Sequence, residues 1–129
     1  MLFEVENDFD VLCARNAAKH LASKMGFSTE DRTRIDLAIS ELANNLIRHA
    51  VQGKLIFCKQ ACPGHAAFVA VSMDSGPGIN DLEQALRLGF STKGSLGTGL
   101  STVKEVMDEF SITSHAGTGT LVKVRKWLK

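Results

Sequence analysis

The run Asp36-Leu-Ala-Ile-Ser-Glu41-Leu-Ala-Asn-Asn45 is followed downstream by two glycine loops, Asp74-Ser-Gly76-Pro-Gly78 and Gly94-Ser-Leu-Gly97-Thr-Gly99-Leu100. This order constrains the fold more than any other feature, because it demands a helix with a polar edge and, later, two places of close backbone approach. Each part alone is weak: a polar pair at i, i+4 is common on helices, and glycine doublets mark ordinary turns. Their joint occurrence is the signal.

With 129 residues the chain is expected to form one domain, large enough for a core but with little room for a second module. A formal net charge of +1 argues against a general nucleic-acid binder. The cluster Lys123, Arg125, Lys126 and Lys129 reads as a solvated terminal strand. Met1-Leu-Phe-Glu-Val-Glu has neither the basic start nor the apolar core of a secretory signal, and no apolar run is long enough for a bilayer, so a cytoplasmic location away from membranes is expected. Cys13, Cys58 and Cys62 are odd in number and form no close CxxC pair, which suits reduced buried thiols. The histidines show no ligand spacing.

Leu2 to Glu6 alternates apolar and acidic residues and predicts a short strand. Asp8 or Asp10 is then placed to cap a helix in which Val11, Ala14, Ala18, Leu21 and Met25 recur at helical spacing, with Gly26 as its left-handed end. Ser28, with Asp31 after it, starts a second helix whose apolar stripe is Ile35, Ile39, Leu42 and Leu46. Lys54 to Lys59 and Ala67 to Met73 read as a hairpin turning at Ala61-Cys-Pro-Gly64. Asp81 to Leu88 reads as a short helix, Gly89 to Thr98 as a loop, and Leu100 to Phe110 as helix. Ser111 to Ser114 and Thr120 to Trp127 close the chain as a hairpin around Gly117-Thr-Gly119. No internal repeat or linker is visible.

Glu41, Asn45 and His49 fall on a stripe beside the apolar face of the second helix. They read either as a solvated edge or as a working pair, in which the amide oxygen ligates magnesium and the carboxylate positions or deprotonates a nucleophile. Asp74 ends an apolar strand and is either part of a plain turn or an acceptor for the exocyclic amine of adenine, the glycines letting the backbone pass close to base and ribose. Gly97-Thr-Gly99 sits before a helix start, where amides suit phosphate oxygens, or is simply a helix-entry turn. It lacks the Gly-Lys-Ser/Thr ending of a P-loop. Lys93 or Arg87 either adds positive charge near the phosphates or is an ordinary surface cation.

Taken together, these residues resemble the GHKL ATPase/kinase superfamily over most of the chain. The resemblance implies an α+β two-layer sandwich of the Bergerat type, a mixed, mostly antiparallel sheet covered by helices on one face. It implies Glu41 as catalytic base and Asn45 as magnesium ligand, adenine recognition by Asp74 with Gly76 and Gly78, and phosphate contacts around Gly97, Thr98 and Gly99. Gly119-Thr120 resembles the late Gly-Thr element, whose threonine approaches the adenine region.

Size selects a branch: the chain is similar to the compact serine kinases of bacterial partner-switching systems, and Gly97 to Phe110 looks most like the RsbT-like switch kinases. For these the implied activity is Mg-ATP-dependent phosphorylation of a serine or threonine on STAS-domain proteins of a stressosome. The freed kinase then activates a downstream regulator such as a phosphatase. The alternatives are an anti-sigma factor kinase, a nucleotide-gated binding module without phosphotransfer, and a magnesium ATPase. The second glycine loop lacks the longer glycine series of histidine kinases, and the segment before it is short, which leaves the basic phosphate contact unassigned.

Overall fold

The computed structural model describes residues 1–49, 53–75, 96–115 and 119–129. Strand β1 (Leu2–Glu4) leads into helices α1 (Asp8–Met25) and α2 (Thr29–His49), then strands β2 (Lys54–Cys62) and β3 (His65–Met73), helix α3 (Leu96–Val106), and strands β4 (Glu109–His115) and β5 (Gly119–Trp127). The expected helix over 81–88 and residues 89–95 of the loop expected over 89–98 lie outside the described residues.

Helix α1 is capped by Asn7, not by the aspartates that follow it. The Asn7 side chain accepts the Asp10 N–H at 3.0 Å, and the Asp10 carboxylate accepts the Glu6 N–H at 2.9 Å. One first-turn donor and the N–H that precedes the cap are thereby satisfied by neighbouring short polar side chains. Gly26 ends the helix with φ of 94°, the left-handed geometry that glycine adopts without strain. Ser28 Oγ accepts from Asp31 N–H at 3.2 Å and opens α2 as expected.

The five strands form one sheet in the order β1-β2-β3-β5-β4. Every pairing among the described residues is antiparallel, in keeping with the expected, mostly antiparallel sheet. The β2–β3 ladder continues through Cys62↔His65, which absorbs Ala61 and Cys62 into the strand and leaves Pro63-Gly64 as the turn. Period-two alternation puts Leu55, Phe57, Phe68, Ala70, Val122 and Val124 on the buried side, where α1 and α2 pack. Phe3, Phe57 and Phe68 stack in sequence, with centroids 5.4 and 5.7 Å apart.

The two helices contribute different residues to the core, small ones from α1 and a branched stripe from α2. Ala14, Ala18 and Ala22 of α1 and Ile35, Ala38, Ile39 and Leu42 of α2 are all inaccessible or nearly so. Leu21 and Met25 are only partly buried.

Three further expectations change. Cys58 points to the open face of the sheet and is exposed, while Cys13 is half-buried, so the cysteines are not uniformly buried. Lys126 belongs to the buried side of β5, whereas Lys123 and Lys129 are exposed, so the terminal cations are not one solvated cluster. The third helix begins at Leu96 and ends at Val106, and Glu109 and Phe110 are already in strand β4, paired with Arg125 and Val124. Among the described residues no helix is long and apolar enough to cross a membrane.

Candidate functional site

Asp36, first residue of the polar run on α2, is a structural anchor. Its carboxylate takes two hydrogen bonds of 3.0 Å from Arg15 on α1, with the Lys19 ammonium 3.6 Å away. Burial pushes this carboxyl up, but the Arg15 hydrogen bond and charge, with Lys19 assisting, outweigh that and hold it below the ordinary aspartate value. Arg15 is correspondingly raised by its hydrogen bond to Asp36 and by the attraction between the two charges. The anchor fixes α2 to α1 on one side and leaves Glu41 and Asn45 to the other.

Asn45 lies deeper than an edge position. It is 9% exposed, and among the described residues neither its amide oxygen nor its amide nitrogen has a hydrogen-bond partner. Leaving a buried amide unpaired costs about 1–3 kcal/mol. Helix α3 crosses α2 at this place, and the approach is close: a Cβ on Gly99 would stand 3.0 Å from Glu41 Oε2 and 3.3 Å from both polar atoms of Asn45. Glu41, Asn45 and the first turn of α3 therefore meet at one point.

Gly97, Thr98 and Gly99 form part of that first turn instead of a loop before it, which corrects the expected boundary. The change preserves the chemistry of the position, because first-turn amides have no carbonyl partner within the helix and are open to an anion. The side chain of Thr98, like that of His49, is outside the described set.

A second group forms where β3 ends. Asp74 is half-buried, and its N–H donates to the Thr120 carbonyl at 3.1 Å. Gly119, with φ of 117°, makes this approach possible, since a Cβ there would lie 2.1 Å from the Asp74 carbonyl oxygen. Thr120 Oγ1 and Ser114 Oγ share a hydrogen bond of 2.8 Å across the β4–β5 ladder. The structure thus brings Asp74 beside the Gly119-Thr120 element. Ser114 was not anticipated, although the hairpin register Ser114↔Thr120 carries the signal. Gly76, Gly78, Lys93 and Arg87 lie outside the described residues.

The residues present fit a magnesium nucleotide. Among the described residues no cluster of His, Cys, Asp and Glu offers a self-sufficient metal site. Magnesium in phosphoryl-transfer sites is held by few protein ligands, together with substrate phosphates and water. A buried amide oxygen with no partner among the described residues, facing the start of a glycine-bearing helix, has the chemistry of such a ligand.

Residues 6–126 match the family model described as a histidine kinase-like ATPase domain. The chain is 41% identical over 125 residues to the serine/threonine-protein kinase RsbT of Bacillus subtilis, covering 97% of this chain and 94% of that protein. It is 31% identical over 120 residues to an anti-sigma F factor of a Thermoanaerobacter species, covering 89% and 83% of the two chains. Two solved structures share the fold. The catalytic domain of histidine kinase ThkA matches with a TM-score of 0.57 at 16% identity, over 99% of this chain and 97% of that one. A histidine kinase domain from Erythrobacter litoralis matches with a TM-score of 0.58 at 20% identity, over 92% of this chain but only 59% of that one.

Proposed function

This chain belongs to the histidine kinase-like ATPase family, and on that premise we propose that it is an RsbT-like serine/threonine-protein kinase that uses Mg-ATP to phosphorylate STAS-domain partners of a stressosome-type system. The observation that carries the reading is the meeting of Glu41, the unpartnered Asn45 amide and the Gly99 turn at one point. The near full-length similarity to a protein serine/threonine kinase supports it.

In this reading the chain forms a single ATP-binding kinase domain. Asp74, held by the Thr120 carbonyl, receives the adenine amine, with Gly76, Gly78 and Thr120 shaping the base end. The first-turn amides at Gly97, Thr98 and Gly99, with Lys93, hold the phosphates. Asn45 is the protein ligand for magnesium, which neutralises phosphate charge when bound. Glu41 accepts the proton of the partner's serine or threonine hydroxyl as its oxygen bonds to the γ-phosphorus and the bond to ADP breaks. Positioning and charge are what the protein contributes to phosphoryl transfer. The freed kinase then activates a downstream regulator in the cytoplasm of a bacterial cell, typically a phosphatase.

The deciding experiment is transfer of labelled γ-phosphate from Mg-ATP to STAS-domain proteins of the source organism, native chain against Glu41→Gln. Labelling with the native chain that disappears in a variant still able to bind ATP is the expected result. Normal turnover by Glu41→Gln sinks the base assignment, and an absence of labelling by an ATP-binding native chain favours a nucleotide-gated binding module. The similarity to an anti-sigma F factor keeps a second output in view. Co-purification with a sigma factor would favour that output.

A further inference from the structure

We propose that Lys126 is a positioning residue for the phosphate end of the site, acting through helix α3; the proposal rests on the kinase reading above. Lys126 follows Val122 and Val124 on the buried side of β5, and its side chain is only 6% exposed. Its ammonium donates to the Val106 carbonyl, the last residue of α3, at 2.8 Å. It lies 3.4 Å from Asp108 Oδ1 and 3.7 Å from Asp31 Oδ1 in the first turn of α2. Asp108 is itself fixed to β5, accepting the Trp127 N–H at 2.8 Å and donating its own N–H to the Arg125 carbonyl at 3.0 Å.

Lys126 therefore ties the C-terminal end of α3 to the start of α2, while Gly99 backs the other end of α3 onto Glu41 and Asn45 farther along α2. The helix is held at two points against the same partner. Its 11 residues make a rod of about 16 Å, short enough to move as one body. Loosening the Lys126 end shifts the first-turn amides relative to Asn45 and Glu41. Packing alone does not require this residue, since replacing a buried ion pair by apolar side chains is often neutral or stabilising. A charge with partners on two helices supplies direction instead, and a cation at a helix C-terminus also suits the helix dipole.

The test compares native chain, Lys126→Met, Lys126→Arg and Asp108→Asn by kcat and KM for Mg-ATP in the transfer assay, thermal melting, and amide exchange over residues 100–103. Lys126→Met is expected to melt cooperatively yet lose about ten- to a hundredfold in kcat, the scale of a 1 Å misplacement remote from the chemistry. Faster exchange in α3 and partial recovery in Lys126→Arg are expected with it. A folded Lys126→Met with native kcat, KM and α3 exchange overturns the proposal. Should Lys126→Met not fold, Asp108→Asn is expected to lose kcat in the same direction but less, and a native kcat there overturns the proposal too. Failure of the kinase reading shows separately, as absence of transfer by the native chain. The exchange comparison then decides: faster α3 exchange in the variant supports Lys126 as the clamp, and equal protection refutes it.

Discussion

Helix α2 has a helix on either side and meets them in opposite ways. Toward α1 its buried residues are apolar, Ile35, Ile39 and Leu42 joining the α1 alanines in one core, and the polar groups at the rim are matched: Asp36 by Arg15 and Lys19, and Arg32 by Ser23. Toward α3 it presents a carboxylate and a buried amide without a partner among the described residues, and α3 meets them with Gly99, where a Cβ would stand 3.0–3.3 Å from both groups. The first seam is what stability alone would select. The second gives up part of that stability to keep donors and acceptors available, as the proposed catalytic role of this side would require.

Asn45→Leu should break the contrast most. Transfer activity should fall about a thousandfold, as when a key electrostatic group is removed from a reaction site. Stability of the nucleotide-free chain should hold or rise by about 1–3 kcal/mol as the orphan amide disappears. Activity and thermal melting on one preparation check both halves. Ile39→Ala is the converse, because the residue is fully buried in the closed seam. Denaturant unfolding should show a loss of about 2–5 kcal/mol while kcat and KM of the folded enzyme stay native.

Gly99→Ala sharpens the comparison, since its new methyl meets Glu41 and Asn45 at 3.0–3.3 Å. Alanine improves helix propensity by about 1 kcal/mol, so melting should not fall, whereas displaced catalytic groups should lower kcat by about tenfold. The smallest effect is expected from Asp36→Asn, at about 1 kcal/mol or less for a half-exposed pair. The Asp36 carboxyl is lowered in the folded state, so its contribution is complete above the unfolded value of about 4 and is lost as pH falls through the lowered value. Melting points of native and variant should converge on acidification. A gap that persists in acid would show the anchor to be steric.

Much of the closed seam was legible in the residues. The stripe Ile35, Ile39, Leu42 and Leu46 is buried as its period predicts, and Gly26 ends α1 in the expected left-handed conformation. The antiparallel β2–β3 and β4–β5 pairings also follow from alternation and turn chemistry. The working seam was legible in its residues but not in its shape. Gly97 and Gly99 disfavour helix locally, which placed the helix start too late, and packing of α3 on α2 overrides that preference. Lys126 looks in sequence like its solvated neighbours, and it is the parity of β5, set by the buried Val122 and Val124, that puts it on the buried side. The orphaned state of Asn45 depends on what surrounds it in three dimensions, and periodicity cannot report it.

The order β1-β2-β3-β5-β4 places the fifth strand in the chain between two earlier ones. Its pairing with β3 joins residues as distant as Ala67 and Trp127. Such long-range pairings are slow to form, because loop closure must precede the contacts that reward it. β5 also carries the Thr120 carbonyl that holds Asp74 and the lysine that clamps α3. A partly folded chain, lacking that strand in its slot, would have neither end of the site in order. Both ends of the proposed site therefore depend on the one strand whose pairing spans the longest stretch of chain, and they are expected to become ordered only once that strand has joined the sheet.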